Sequence, residues 1–365
     1  MRYNRTARSR IFGPLLLVML SACGDLELSH FSTDAYPEKL SDWELIEKNG
    51  TRIKLNKDAI VYALNTDLFS DYSQKLRTIS IPDGQAASYD AEETFGFPVG
   101  TIISKTFFYP IDVNDAVLTQ SSWSGDPEDI DTRFYRLIET RLLVRQTHGW
   151  DALPYIWSDN DAYLSVTGAL KHLLISSGEY MDYLVPSKNQ CASCHATNHT
   201  DGKILPIGPK ARHLNRDDPV NSINQIHGWQ DKGKLSGVML PAPANAMMGD
   251  YSVSLEHRAR SYLDINCGHC HNPHGSADTS GLLLDYNKYT PFEMGVCKPP
   301  IAAGSGSGGR FYSIVPGFAE HSILSYRLRS TNPAAMMPEL GRSLVHKEGA
   351  ALVDQWINSM SGECL

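Results

Sequence analysis

The spacing of apolar positions changes along this chain. Between about residues 50 and 160 they fall in short runs rich in β-branched, aromatic and aliphatic side chains: Arg52-Ile-Lys-Leu55, Val99 to Tyr109 and Leu137 to Val144. Such runs predict strands. Pro82-Asp-Gly84, Pro98-Val-Gly100 and Pro110 punctuate them as turns. Beyond residue 160 the period lengthens. Ala162 to Tyr180, with Leu164, Ala169, Leu173 and Ile175, predicts a helix, as does Gln225 to Leu235. Leu255 to His271 predicts another, with Leu255, Ala259, Tyr262 and Leu263 near one face. Glu348 to Met360 predicts the last, because Leu352, Trp356 and Met360 recur every fourth residue as one stripe. The expected class is α+β and multidomain, with a β-rich N-terminal domain followed by two mainly α-helical units.

The N-terminus is set apart from this pattern. Arg2, Arg5, Arg8 and Arg10 precede a short apolar run, Ile11 to Leu20. Leu20-Ser21-Ala22-Cys23 then resembles the bacterial lipobox. That resemblance implies cleavage before Cys23 and lipidation of its thiol; a plain signal peptide cut nearby is the other reading. The run is too short for a bilayer core of about 30 Å, so membrane attachment is expected through a lipid anchor only. The expected organisation is a lipoprotein signal peptide at 1–22, a linker at 23–45, a β-rich domain at 46–160, a first unit at 161–245 and a second at 250–365. Gly24 and Asp25 do not place an aspartate where inner-membrane retention is signalled, which favours the outer membrane of a Gram-negative bacterium and a periplasmic location.

The chain has 365 residues, 42% of them hydrophobic and 20% charged, as in ordinary globular proteins. Its formal net charge of -8 argues against a nucleic-acid partner, which needs a basic surface. Asp126, Glu128, Asp129 and Asp131 lack EF-hand spacing and read as a solvated acidic loop.

Candidate chemistry lies in the seven cysteines. Cys191-Ala-Ser-Cys194-His195 and Cys267-Gly-His-Cys270-His271 are two C-x-x-C-H motifs. Two thiols at that spacing can add across the two vinyl groups of a porphyrin, and the next His then lies under the iron as proximal ligand. One zinc held by both cysteine pairs and a redox dithiol are the competing readings. The pairs lie far apart in the chain, and each is followed at once by a His that neither alternative requires. Two covalently attached c-type haems are therefore expected, and the two helical units are expected to be cytochrome c-like. Cys297 and Cys364 remain. In an exported protein they are expected to pair, the alternative being two free thiols.

Met336-Met337-Pro338 lies between the second motif and the last helix. Residues 250 to 365 thereby resemble the small mono-haem class I cytochrome c, which implies that Met337 ligates the iron opposite His271. Arg342 is a candidate partner for a haem propionate or for a surface carboxylate. Leu205-Pro206 and the following residues to Trp229 read as a weak repeat of Met337-Pro338 to Trp356, with Leu205 where a Met ligand is expected. The first haem's sixth ligand then comes from Met239, next to Pro241 in Gly237-Val-Met-Leu-Pro241, or from Met247, Met248, His199, His213 or His227. The N-terminal domain could also supply it, or the iron could be five-coordinate. His269 reads as a spacer within its motif.

Several further stretches carry a family resemblance: Leu64-Asn-Thr-Asp-Leu-Phe-Ser-Asp-Tyr72, Phe97-Pro-Val-Gly-Thr101, Ile138 to Val144, Gly149-Trp150, Leu153 to Trp157, Gly208-Pro-Lys210 and Ala259 to Asp264. They are similar to a family of bacterial lipoprotein di-haem c-type cytochromes encoded near secreted parallel β-helix proteins. The resemblance implies haem binding and electron transfer outside the cytoplasm, with an unidentified redox protein as partner, such as a neighbouring secreted protein. A single-electron carrier predicts two six-coordinate haems. A di-haem oxidoreductase, peroxidase-like or a dehydrogenase, predicts an open sixth position at the first haem.

Overall fold

The computed structural model describes residues 35–120, 126, 129–218, 221–301 and 303–364. The expected signal peptide, Cys23 as the expected lipidation site, the expected linker up to residue 34 and most of the acidic loop lie outside the described residues. Among the described residues eleven strands precede the first cysteine motif: β1 (Ile46–Asn49), β2 (Arg52–Leu55), β3 (Ile60–Val61), β4 (Gln74–Ser80), β5 (Ala87–Ser88), β6 (Ile102–Pro110), β7 (Tyr135–Gln146), β8 (Gly149–Trp157), β9 (Ala162–Leu164), β10 (Ala169–Leu174) and β11 (Tyr180–Val185). Six of them form one antiparallel sheet in the order β3-β4-β6-β7-β8-β9.

Side chains alternate across a strand, and here both faces are covered. Leu76, Ile102, Phe108, Leu142 and Val144 pack with Leu40, Trp43, Ile46 and Ile53 on one face. Residues 35–45, the described end of the expected linker, thus pack onto the sheet: Leu40 N–H donates to the Ala162 carbonyl at 2.8 Å and Trp43 Nε1 to the Tyr155 hydroxyl at 2.7 Å. Ile79, Ile81 and Ile103 face the other way.

The predicted helix from Ala162 to Tyr180 is a correction: these residues belong to β9 and to the antiparallel hairpin β10–β11. Tyr180–Val185 alternates exposed and buried, the strand period. Gly178 at φ +87° makes the turn, a conformation that favours glycine and breaks a helix.

Past the first motif come α1 (Ala192–His195), α2 (Ala211–Leu214), α3 (Gln225–Asp231), the short strand β12 (Leu235–Ser236), α4 (Leu255–Leu263), α5 (Ile323–Arg329) and α6 (Lys347–Ser359). This corrects the expectation of two mainly α-helical cytochrome c-like units: the described residues hold six short α-helices joined by long turns beside one large sheet. The reason is packing. Ala211, Leu214, Ile226 and Trp229 of the first motif's region bury themselves against Ile79 and Ile81 of the sheet. β12 pairs in parallel with β5. With a sheet face to cover them, these residues need no helical core of their own. In the C-terminal region Ala259, Tyr262, Leu324, Leu328, Val353 and Trp356 share a core among α4, α5 and α6. The serine before α4 caps it, its hydroxyl accepting from His257 N–H at 3.1 Å. No described helix is long and apolar enough to cross a membrane.

Candidate functional site

The two C-x-x-C-H motifs reach similar local geometry by different routes. Before the first, Ser187 and Gln190 form a reciprocal capping box, Ser187 N–H donating to Gln190 Oε1 at 2.9 Å. The turn it starts runs into α1, which carries Cys194 and His195. The second motif follows α4 through a single π turn at Asp264–Gly268. Gly268 is required there, because a Cβ would stand 2.7 Å from the Cα of Asp285.

The His that ends each motif is fixed by its Nδ1. A carbonyl only accepts, so the ring nitrogen facing it carries the proton. His195 Nδ1–H donates to the Leu205 carbonyl at 2.8 Å and His271 Nδ1–H to the Leu282 carbonyl at 3.2 Å. Such a bond sets the tautomer and leaves Nε2 with its lone pair for a metal. Desolvation pushes His195 down to about 3, helped by the nearby Lys105 ammonium. Desolvation likewise pushes His271 down to about 4. Both rings are neutral at neutral pH, the form that ligates iron.

Cys191, Cys194, Cys267 and Cys270 are all free of disulfides. Desolvation pushes the Cys194 thiol up to about 11 and the Cys267 thiol up to about 12. A redox dithiol needs the opposite, a thiolate favoured by its surroundings. Among the described residues no three His, Cys, Asp or Glu side chains are grouped to cage a bare metal ion. The donor set therefore fits a haem, held by thioether bonds and needing one protein nitrogen on each iron's proximal side.

The equivalence of Leu205 with Met337 is overturned by these hydrogen bonds. Leu205 stands ten residues beyond His195 and receives its Nδ1–H; Leu282 stands eleven beyond His271 and does the same. Leu205 therefore matches Leu282 on the proximal side, and no methionine is missing at that position. Met337 lies in the loop between α5 and α6, its N–H donating to the Arg327 carbonyl at 3.1 Å. Arg342 is buried, and its guanidinium donates to the carbonyls of Arg327, Ser330, Met337 and Leu344. With most of its donors on backbone carbonyls, Arg342 pins the Met337 loop.

A cleft of about 140 Å³, partly open to solvent, lies between the sheet and the first motif; Cys191, Cys194 and His195 line it. Met239, the favoured sixth ligand of the first haem, is 64% exposed and does not line this cleft. Neither do Met247, Met248, His199, His213 or His227. The second histidine on its wall is His269, whose Nδ1 is buried with no hydrogen-bond partner among the described residues.

The two motifs touch. Cys270 Sγ lies 3.5 Å from the Ser193 carbonyl, and His199 donates to the His274 carbonyl from N–H at 2.9 Å and to the Gly275 carbonyl from Nδ1 at 2.9 Å. The Leu64–Tyr72 stretch straps both motifs to the sheet. Asn65 Nδ2 donates to the Arg212 carbonyl at 3.0 Å, Asn266 Oδ1 accepts from Phe69 N–H at 2.8 Å, and the buried Asp71 carboxylate accepts from the N–H groups of Ser343 and Leu344 at 2.7 Å each. The resemblance flagged this stretch, but its role needed the three-dimensional contacts. Cys297 and Cys364 are disulfide-bonded, with 5.1 Å between their Cα atoms, and so close the C-terminal segment that contains Met337. Protein-family models, curated proteins and solved structures were all compared with this chain, and none matches it.

Proposed function

We propose that this chain is an exported c-type cytochrome that binds two haems covalently and passes single electrons between redox partners outside the cytoplasm. The observation that supports this reading is that two C-x-x-C-H motifs of similar local geometry lie in direct contact. Each has two cysteines outside any disulfide and a neutral His oriented through Nδ1; the Cys270 sulfur lies against the Ser193 carbonyl, and the segments that follow the motifs are bonded backbone to backbone at His199–His274. When bound, each haem iron supplies a one-electron Fe(III)/Fe(II) couple. Cys191, Cys194 and His195 would hold one, and Cys267, Cys270, His271 and Met337 the other. The lipid-bearing Cys23 would tether the protein to the outer membrane on its periplasmic side, and the partner is a redox protein. Contact between the motifs keeps the two groups close, which suits transfer from one to the other. With His271 and Met337 both available to the second group, the arrangement favours a carrier.

Peptide mapping of the holoprotein should place one haem mass on the Cys191–Cys194 peptide and one on the Cys267–Cys270 peptide. The ferric EPR spectrum should then contain two low-spin signals, without peroxidase turnover. A high-spin first haem with peroxide consumption would replace the carrier by an oxidoreductase; unmodified cysteines would end both readings.

A further inference from the structure

The sheet face that looks into the first-motif cleft carries an unusual row of charge. In the ladder, Arg77 of β4 stands directly opposite Lys105 of β6, and Lys105 directly opposite Arg141 of β7. Like charges directly opposite one another destabilise a sheet, and this trio is shielded from water: Arg77 is 6% exposed and Lys105 is half-buried. Lys105 and Arg141 both stack on the fully buried Phe107 ring. The outer two cations have carboxylates of their own. Arg77 pairs with Asp67 at 2.9 Å, and Arg141 Nε donates to Glu139 at 2.8 Å. Glu139 is itself fully buried and held by the Tyr183 hydroxyl at 2.7 Å, so it is committed. The middle group, Lys105, has no carboxylate within ion-pair distance among the described residues, and burial together with the flanking Arg141 and Arg77 pushes its ammonium down to about 7, so an anion beside it would restore its charge. All three row members line the same cleft as Cys191, Cys194 and His195.

A fold that sets three cations in a desolvated row, and leaves the central one unpaired, is built for an anionic guest. We infer that the Arg77–Lys105–Arg141 row seats the propionate carboxylates of the first haem, with Lys105 as their principal partner. This rests on reading Cys191–His195 as a haem attachment site. It also gives the β-rich domain a function: the sheet is the wall that binds the haem's charged edge while the motif binds its vinyl edge. The shared chemistry is a carboxylate or other oxyanion, so a free anion in the cleft is the rival source.

The test uses full-length holoprotein, titrated spectroelectrochemically. A cation beside the propionates favours the less positive ferrous state. In Lys105→Met, one of the two haem potentials should fall, lowering that haem's ferrous-to-ferric ratio several-fold at fixed ambient potential, while the other stays unchanged. Lys105→Arg, which keeps the charge, should retain the wild-type value. Two unmoved potentials in Lys105→Met, with haem present on Cys191 and Cys194, would overturn the propionate assignment alone. Absence of haem from those cysteines in the wild type would remove the reading beneath it. Inorganic phosphate added to the wild-type holoprotein should leave both potentials in place, because the seat is filled. A saturable phosphate-dependent shift would overturn the assignment in favour of a free-anion site, whatever the fate of the variants.

Discussion

His213 illustrates how far a single residue's role departs from its appearance in the sequence. As one of several histidines near the first motif it is a candidate iron ligand. In the fold it is 2% exposed, with Nδ1 at 3.3 Å from Asn245 Nδ2 and Nε2 at 3.7 Å from Asp264. Burial pushes it down from 6.5 to about 4, with Asp264 opposing part of that shift. The sign follows from linkage. The unfolded chain takes up the proton first as pH falls, so His213 contributes stability that is complete above about 6.5 and is lost as pH falls toward 4. The ceiling on this loss is about 3 kcal/mol. His346, pushed down to about 4 chiefly by burial, acts in the same window. Urea unfolding of the protein should therefore give a lower stability at pH 4.5 than at pH 7, and His213→Gln should shrink the difference. Equal pH dependence in the two proteins would refute this role. Arg342 and Leu205 teach the same lesson. Their residue types and spacing were visible, but the carbonyls they meet come from distant turns.

At the scale of elements, local periodicity identified some pieces and not others. The α6 stripe was legible because Leu352 and Trp356 repeat at helical spacing and face a core shared with α4. The β10–β11 hairpin was not, because the Leu and Ile positions between 164 and 175 fit a helical period as well as a strand, and the left-handed Gly178 decided between them. The 64–72 strap has no regular structure at all. Its Asp71 and Tyr72 sit at φ 49° and 61°, conformations that cost non-glycine residues of order 1 kcal/mol or more. What holds them is docking onto the loop that carries Met337, through Asp71 to Ser343 and Leu344 and through the Tyr72 hydroxyl, which accepts from Lys347 N–H at 3.0 Å. Asp71→Ala leaves two half-buried N–H groups without an acceptor and should cost roughly 1–3 kcal/mol in thermal or denaturant unfolding. Asp71→Asn, which keeps one acceptor oxygen, should cost less. Equal stability of Asp71→Ala and wild type would mean that the strap does not hold the loop.

The whole molecule divides differently from the order of its motifs. Motif order suggests a β domain followed by two independent haem units, with the last beginning near residue 250. The contacts cut across that boundary. Asn266, one residue before Cys267, bonds to both Asp67 and Phe69 of the strap. Asn245 donates to Asp264 at 2.7 Å, and the Ser261 hydroxyl accepts from Ala246 N–H at 2.9 Å. Thr66 Oγ1 donates to the Ala246 carbonyl at 2.7 Å, so one polar cluster joins the sheet, the first motif's region and α4. The cation row has the same origin, being assembled from β4, β6 and β7, which are far apart in the chain and acquire a common meaning only through the ladder. A protein built this way should not yield to dissection. A fragment of residues 250–365 retains the second motif, Met337 and the Cys297–Cys364 disulfide, but loses the acceptors and donors that Asn266, Ser343 and Leu344 use. Expressed with the haem-attachment machinery, it should unfold with a broad, weakly cooperative transition by circular dichroism, whereas the mature chain should unfold in one cooperative step. A fragment that unfolds as sharply as the mature chain and at the same temperature would show that the C-terminal unit stands alone, and that the strap is an accessory to it.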